Sequence, residues 1–90
     1  MSGFKMSQPF RQIHVRFFAI LREQAGVPTL TVESAAPDAS ALYAELQQRH
    51  PGLSFPAHLL KVSINERYVE LTTPLAAGDR VVFIPPVAGG

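Results

Sequence analysis

Apolar and polar residues alternate with a period of two in five short stretches of this chain and switch to a helical period in one longer stretch. In residues 13–20, Ile13, Val15, Phe17 and Ala19 fall on one side and His14, Arg16, Phe18 and Ile20 on the other, which predicts a first strand. Residues 21–26 break it, and Gly26 with Pro28 marks a turn. Residues 29–33 alternate Leu30 and Val32 against Thr29, Thr31 and Glu33, as a hairpin partner with one wet face would. Asp38 is an N-cap candidate ahead of Ala39, Leu42, Leu46 and Arg49, which recur at helical spacing until His50-Pro51-Gly52 stops the helix. Residues 53–60 read as an irregular connection with room for one helical turn. Residues 61–65 and 68–71 read as a hairpin around Glu66-Arg67, and 72–79 as a loop. Residues 80–84 form a last strand, ended by Pro85-Pro86 because proline cannot donate to a ladder.

Strands that outnumber a single helix predict an α+β fold, with the helix packed on one face of a mixed sheet of four to five strands. The β-grasp (ubiquitin-like) arrangement fits this order. The expected organisation is a flexible leader over residues 1–12, a folded domain over 13–86 and an extended tail over 87–90.

Parity also assigns faces. Arg80 shares a side with Val82 and Ile84, opposite Val81 and Phe83, and Tyr68 travels with Glu70, opposite Val69 and Leu71. Phe18, Tyr68, Val82 and Ile84 are therefore expected together on the face turned away from the helix. A contiguous apolar patch on a small domain marks a partner surface.

Composition narrows the chemistry. Of 90 residues, 47% are apolar and 17% charged, enough for one packed core and no second module. A net charge of +1 with acids and bases intermixed offers no basic stripe for nucleic acid. No apolar stretch reaches a bilayer span or a signal-peptide core, so a cytoplasmic location is expected and no membrane partner. The absence of cysteine rules out disulfides, a thiol nucleophile and thiolate metal sites, and His14, His50 and His58 lack ligand spacing, so no metal is expected. Phosphate-binding glycine loops and a nucleophile elbow are missing, so the chain is not expected to be an enzyme alone.

What remains is the ending. Gly89 and Gly90 have no Cβ and can enter a tunnel too narrow for side chains. They present an unhindered carboxylate, ionised at neutral pH. Four residues beyond Pro86 reach about 14 Å when extended. The terminus therefore reads as a group handed to another protein.

The segments 15–23 (VRFFAILRE), 74–79 (PLAAGD) and 83–90 (FIPPVAGG) together resemble the small subunits of molybdopterin synthase, the MoaD branch of the MoaD/ThiS sulfur carriers. The resemblance runs from about Ile13 to Gly90 and departs at Ile84, where an aromatic residue is frequent. It implies that an E1-like partner spends ATP to adenylate Gly90 and that a sulfurtransferase system then leaves a thiocarboxylate there. This chain would bind no cofactor itself. It implies, further, that the large subunit uses that sulfur on cyclic pyranopterin monophosphate to build the molybdopterin dithiolene, within a heterotetramer that carries the catalytic residues on its large subunits. By the same likeness Gly89 gives tail clearance, and Phe18, Tyr68 and Ile84 contact both partners, with Val82, Pro85, Pro86 and Val87 alongside. Three other readings stay open: a noncovalent ubiquitin-like interaction module, a modifier joined by an isopeptide bond to lysines of other proteins, and a carrier whose sulfur goes to thiamine, cysteine or a tungsten-containing pterin.

Overall fold

Ile13, Val15 and Phe17 point inward from the first strand as their alternation requires, but the strand they belong to is shifted. The computed structural model describes residues 10–86. In it β1 spans Arg11–Phe17, so Arg11 and Gln12 join the sheet rather than the leader, pairing with Ser34 and Glu33. The Arg11 guanidinium donates to the carbonyls of Ser34 and Leu75, tying the strand's start to two neighbouring segments. Residues 1–9 of the expected leader and 87–90 of the expected tail lie outside the described residues.

β1 also ends three residues early. Ala19 takes φ 55° and ψ −128°, a backbone region costly for a residue with a Cβ, and its carbonyl accepts from the N–H groups of Arg22 and Glu23. The chain turns there into a short helix, α1 (Ile20–Ala25), in place of the expected break. Ala19 is therefore exposed rather than in the core, whereas Leu21 is fully buried. Gly26 closes α1 at φ 85°, a left-handed cap natural to glycine.

The remaining elements follow the periodicity closely. β2 spans Thr29–Ser34 and α2 spans Ala39–Arg49, with the Asp38 carboxylate accepting from the Ala41 N–H at 2.8 Å as its N-cap. A single 3₁₀ turn (Ala57–Leu59) precedes β3 (Lys61–Ile64), which pairs with β4 (Arg67–Val69), and β5 spans Arg80–Ile84. The hairpin turn is centred on Asn65-Glu66, one residue before the expected Glu66-Arg67. Asn65 fixes that register: its N–H donates to the Arg80 carbonyl, its side-chain oxygen accepts from the Arg80 N–H, and its amide donates to Asp79. β4 in turn stops at Val69, and Leu71 packs against the core from the following turn.

The sheet runs β2-β1-β5-β3-β4, with β1 and β5 parallel and every other pair antiparallel. This five-stranded mixed sheet carrying one main helix is the β-grasp arrangement. Ala39, Leu42, Tyr43 and Leu46 of α2 meet Ile13, Val15, Phe17, Val62, Val81 and Phe83 of the sheet in one core. Tyr43 sits 5.1 Å from the Phe83 ring, and Phe17 stacks on Phe83 at 6.4 Å. Tyr43 was absent from the expected helical stripe, which ran through Arg49 instead. Its hydroxyl earns a core position by donating to the Phe55 carbonyl at 2.8 Å. Among the described residues, no helix is long and apolar enough to cross a membrane.

Candidate functional site

The helix covers one face of the sheet, so the outward residues of the strands form a single open face. Register places Thr29, Arg16, Val82, Ser63 and Tyr68 in one row across all five strands. One row away, Thr31, His14 and Arg80 lie side by side, with His14 Nδ1 3.1 Å from Thr31 Oγ1. On the opposite side of the long row, Ile84 pairs with Lys61.

The expected patch residues do share this face, with two corrections. Phe18 is not a strand residue; it lies one step past β1, where parity no longer fixes a side chain. It still faces the open side, because the Arg16 guanidinium carbon sits 5.5 Å from the centre of its ring, within cation–π range. Nor is the patch contiguous: Ser63 separates Val82 from Tyr68, and Lys61 flanks Ile84. Tyr68 is 78% exposed and Phe18 40%, whereas Val82 and Ile84 are half-buried between their neighbours.

The parallel pairing of β1 with β5 decides where the tail starts. Phe17 pairs with Phe83, so both strands run out at one end of the sheet, where Phe18 and, one residue beyond Ile84, the segment 85–86 leave it together. Pro85 is buried in the chain's own fold, which leaves Pro86 as the surface residue of that pair. A rigid, partly inserted root thus precedes Val87, Gly89 and Gly90, the expected tail residues outside the described segment. Arg16 and Arg80 were read from the sequence only as markers of the wet face. Parity had already placed them beside the patch, and that was the signal available. Among the described residues no cluster of three or more His, Asp or Glu side chains is placed to hold a metal ion.

A model of the ThiS family matches residues 15–90, through the last glycine. The chain belongs to the ThiS family. Its relatives include the molybdopterin synthase sulfur carrier subunit of Homo sapiens, 34% identical over 86 residues, covering 91% of this chain and 98% of that one. The same-named subunit of Escherichia coli is 35% identical over 80 residues, 87% of this chain and 99% of that one. Among solved structures, the chain is similar to a subunit in the complex of subunits 1 and 2 of molybdopterin-converting factor from Helicobacter pylori. That likeness has 30% identity and a TM-score of 0.62, over 88% of this chain and 99% of that one. It is also similar to small archaeal modifier protein 1 of Haloferax volcanii, at 27% identity and a TM-score of 0.74, over 86% and 99% of the two chains.

Proposed function

We propose that this ThiS-family chain is the sulfur-carrier subunit of a molybdopterin synthase and that Gly90 is the atom carrier. Its single strongest support in the structure is the shared exit of Phe18 and the tail root from the parallel β1/β5 pair. A partner that seats on the open face at that end has the tail delivered to it. Relatives over nearly the whole chain bear that subunit's name, and the Helicobacter likeness is to a protein seen with a second subunit.

The chemistry follows from the terminus. A carboxylate is a poor electrophile, so a partner enzyme first transfers the adenylyl group of ATP to the Gly90 carboxylate and releases pyrophosphate. A sulfide-level nucleophile, released from a sulfurtransferase persulfide by a thiol that ends in a disulfide, then displaces AMP and leaves a thiocarboxylate. In the large subunit, that sulfur passes to cyclic pyranopterin monophosphate and Gly90 returns to a carboxylate, so a dithiolene takes two deliveries. This chain contributes the slim stalk and the docking face; the catalytic groups belong to its partners. Phe18, Tyr68 and Ile84 are the contacts we assign to both partners.

Intact-mass measurement after incubation with ATP, a sulfur donor and the adenylating enzyme tests this reading. The expected product is heavier by one oxygen-to-sulfur exchange at the C-terminal residue, and deletion of Gly90 abolishes it. Unchanged mass in a system that loads a known carrier rejects the proposal. The likeness to a small archaeal modifier supports a second use of the same activated terminus, amide formation with a lysine of another protein. Ladders of conjugates that disappear with Gly90 deletion would establish it.

A further inference from the structure

The open face holds a shallow groove of about 410 Å³ whose lining includes His14, Arg16, Thr31, Arg80 and Val82, with Glu66 at its rim. We infer that this groove is the electrostatic half of the docking surface and receives an acidic segment of the protein that seats on Phe18. The inference rests on the proposed carrier reading and adds the partner's chemistry to it.

Three observations carry it. First, the groove concentrates positive charge where the fold gains little from it. Register sets Arg80 directly opposite His14, with Arg16 one row along, so two guanidinium groups stand in neighbouring rows of one face. The counter-charge within the lining is Glu66, 3.8 Å from Arg80, with side chains 87% and 60% exposed, an arrangement that contributes little. The other acids of this face lie elsewhere: Glu33 pairs with Gln12 at the far end of β1, and Glu70 follows β4.

Second, groove and patch are continuous through two residues. Val82 belongs to both, and Arg16 lines the groove while its guanidinium lies against the Phe18 ring. A partner that covers Phe18 therefore strips water from Arg16. A buried charge without a counter-charge is strongly unfavourable, so such a partner must bring an acceptor. A carboxylate matches the guanidinium fork best. Two arginines in neighbouring rows call for a segment with more than one acid.

Third, the same face argues against nucleic acid. Glu66 lines the groove, Glu33 and Glu70 lie on the face beyond it, and the chain's net charge is only +1. A phosphate backbone would meet both signs, whereas a short acidic segment meets only the groove.

The test is association of the full-length chain with its molybdopterin synthase large subunit and with its adenylating enzyme, across salt from about 50 to about 500 mM. The expected result is an association rate that falls at least about tenfold over that range. The double variant Arg16→Glu/Arg80→Glu should weaken binding about tenfold or more at low salt, and reversing an acidic segment of the partner should restore it. The milder Arg16→Gln/Arg80→Gln pair should lie between, and Arg49→Glu on the helix side should bind as the unaltered chain does. If binding is insensitive to salt and to the double reversal while Phe18→Lys abolishes it, the groove is idle and the inference is overturned, with the carrier reading intact. If an oligonucleotide displaces the partner and loses that ability in the double variant, the groove is a nucleic-acid site and the inference again falls. If neither partner binds and Gly90 never gains sulfur, both readings fall together.

Discussion

Gly52 shows how a single backbone approach ties two parts of this fold together. A Cβ built on it would lie 2.7 Å from the backbone oxygen of Gln24 at the end of α1, a contact that nothing flexible can relieve. The Gln24 side chain holds the same junction from the other direction, accepting from the N–H groups of Ser54 and Phe55 at 3.0 and 3.1 Å. Gly52→Ala should therefore destabilise the domain by about 1–3 kcal/mol, read as a lower urea midpoint at unchanged slope. An unaltered midpoint would show that α1 gives way freely. The neighbouring Tyr43 carries a pH dependence. Burial raises its phenol above the ordinary 10.0, because the charged phenolate would lose its water inside the core. With the folded value above the unfolded one, the folded state holds the proton more tightly. The associated stability is complete below the unfolded value and is lost as pH rises through the folded one. Tyr43→Phe loses the bond to the Phe55 carbonyl and about 1 kcal/mol at neutral pH. Its stability should decline less steeply than that of the unaltered chain above about pH 10. Parallel decline of the two chains in alkaline melts would remove Tyr43 as the cause.

At the scale of elements, the β3–β4 hairpin closes through Asn65 at φ 53° and Glu66 at φ 73°, both left-handed, as a two-residue type I′ turn requires. Asn65 tolerates that region and is repaid by its bonds to Asp79 and Arg80, while Glu66 is held there by the turn alone apart from its exposed contact with Arg80. Glu66→Gly should raise stability by about 0.5–1 kcal/mol, since relief of the left-handed penalty outweighs glycine's extra freedom when unfolded. A lower melting temperature would mean that the Arg80 contact matters more than its exposure indicates. The same hairpin shows what a sequence reveals. Alternation made β2, β5 and the inward face of β1 legible, and Asp38 with His50-Pro51-Gly52 bracketed α2 to the residue, because each signal is local. The turn centre was not legible, since Asn65 is chosen by Asp79 and Arg80, fourteen and fifteen positions away. Nor was the end of β1, where apolar residues continue through Ile20 and the reversal rests on an alanine in a conformation it rarely adopts. α1 is six residues long, too short for a helical period to stand out from the strand before it. The patch was predicted as a face, and correctly so for Tyr68, Val82 and Ile84. Phe18 reached that face by way of Arg16 rather than by strand parity.

For the whole molecule, the decisive feature is that one end of one sheet face holds both the tail root and the aromatic contact. A carrier must be bound twice and released twice, so its docking face cannot be a large apolar plate. Here Ser63, Lys61 and Arg16 interrupt the apolar residues, and Val82 and Ile84 present only part of their surface, which suits a reversible interface more than a permanent one. On the proposed reading, the tail root beside the patch makes the adenylating enzyme and the large subunit competitors for the same face. Phe18→Lys places a second cation beside Arg16 and removes the ring, so it should weaken association with each partner by at least about tenfold. The fold should survive, since Phe18 is 40% exposed and outside the core. Adding large subunit to a preformed complex of carrier and adenylating enzyme should release the enzyme in proportion, with mass photometry showing two binary complexes. A stable assembly of all three proteins, or a Phe18→Lys variant that loses one partner and keeps the other, would divide the docking face in two. In that case the shared exit of patch and tail would no longer explain how one carrier serves both proteins.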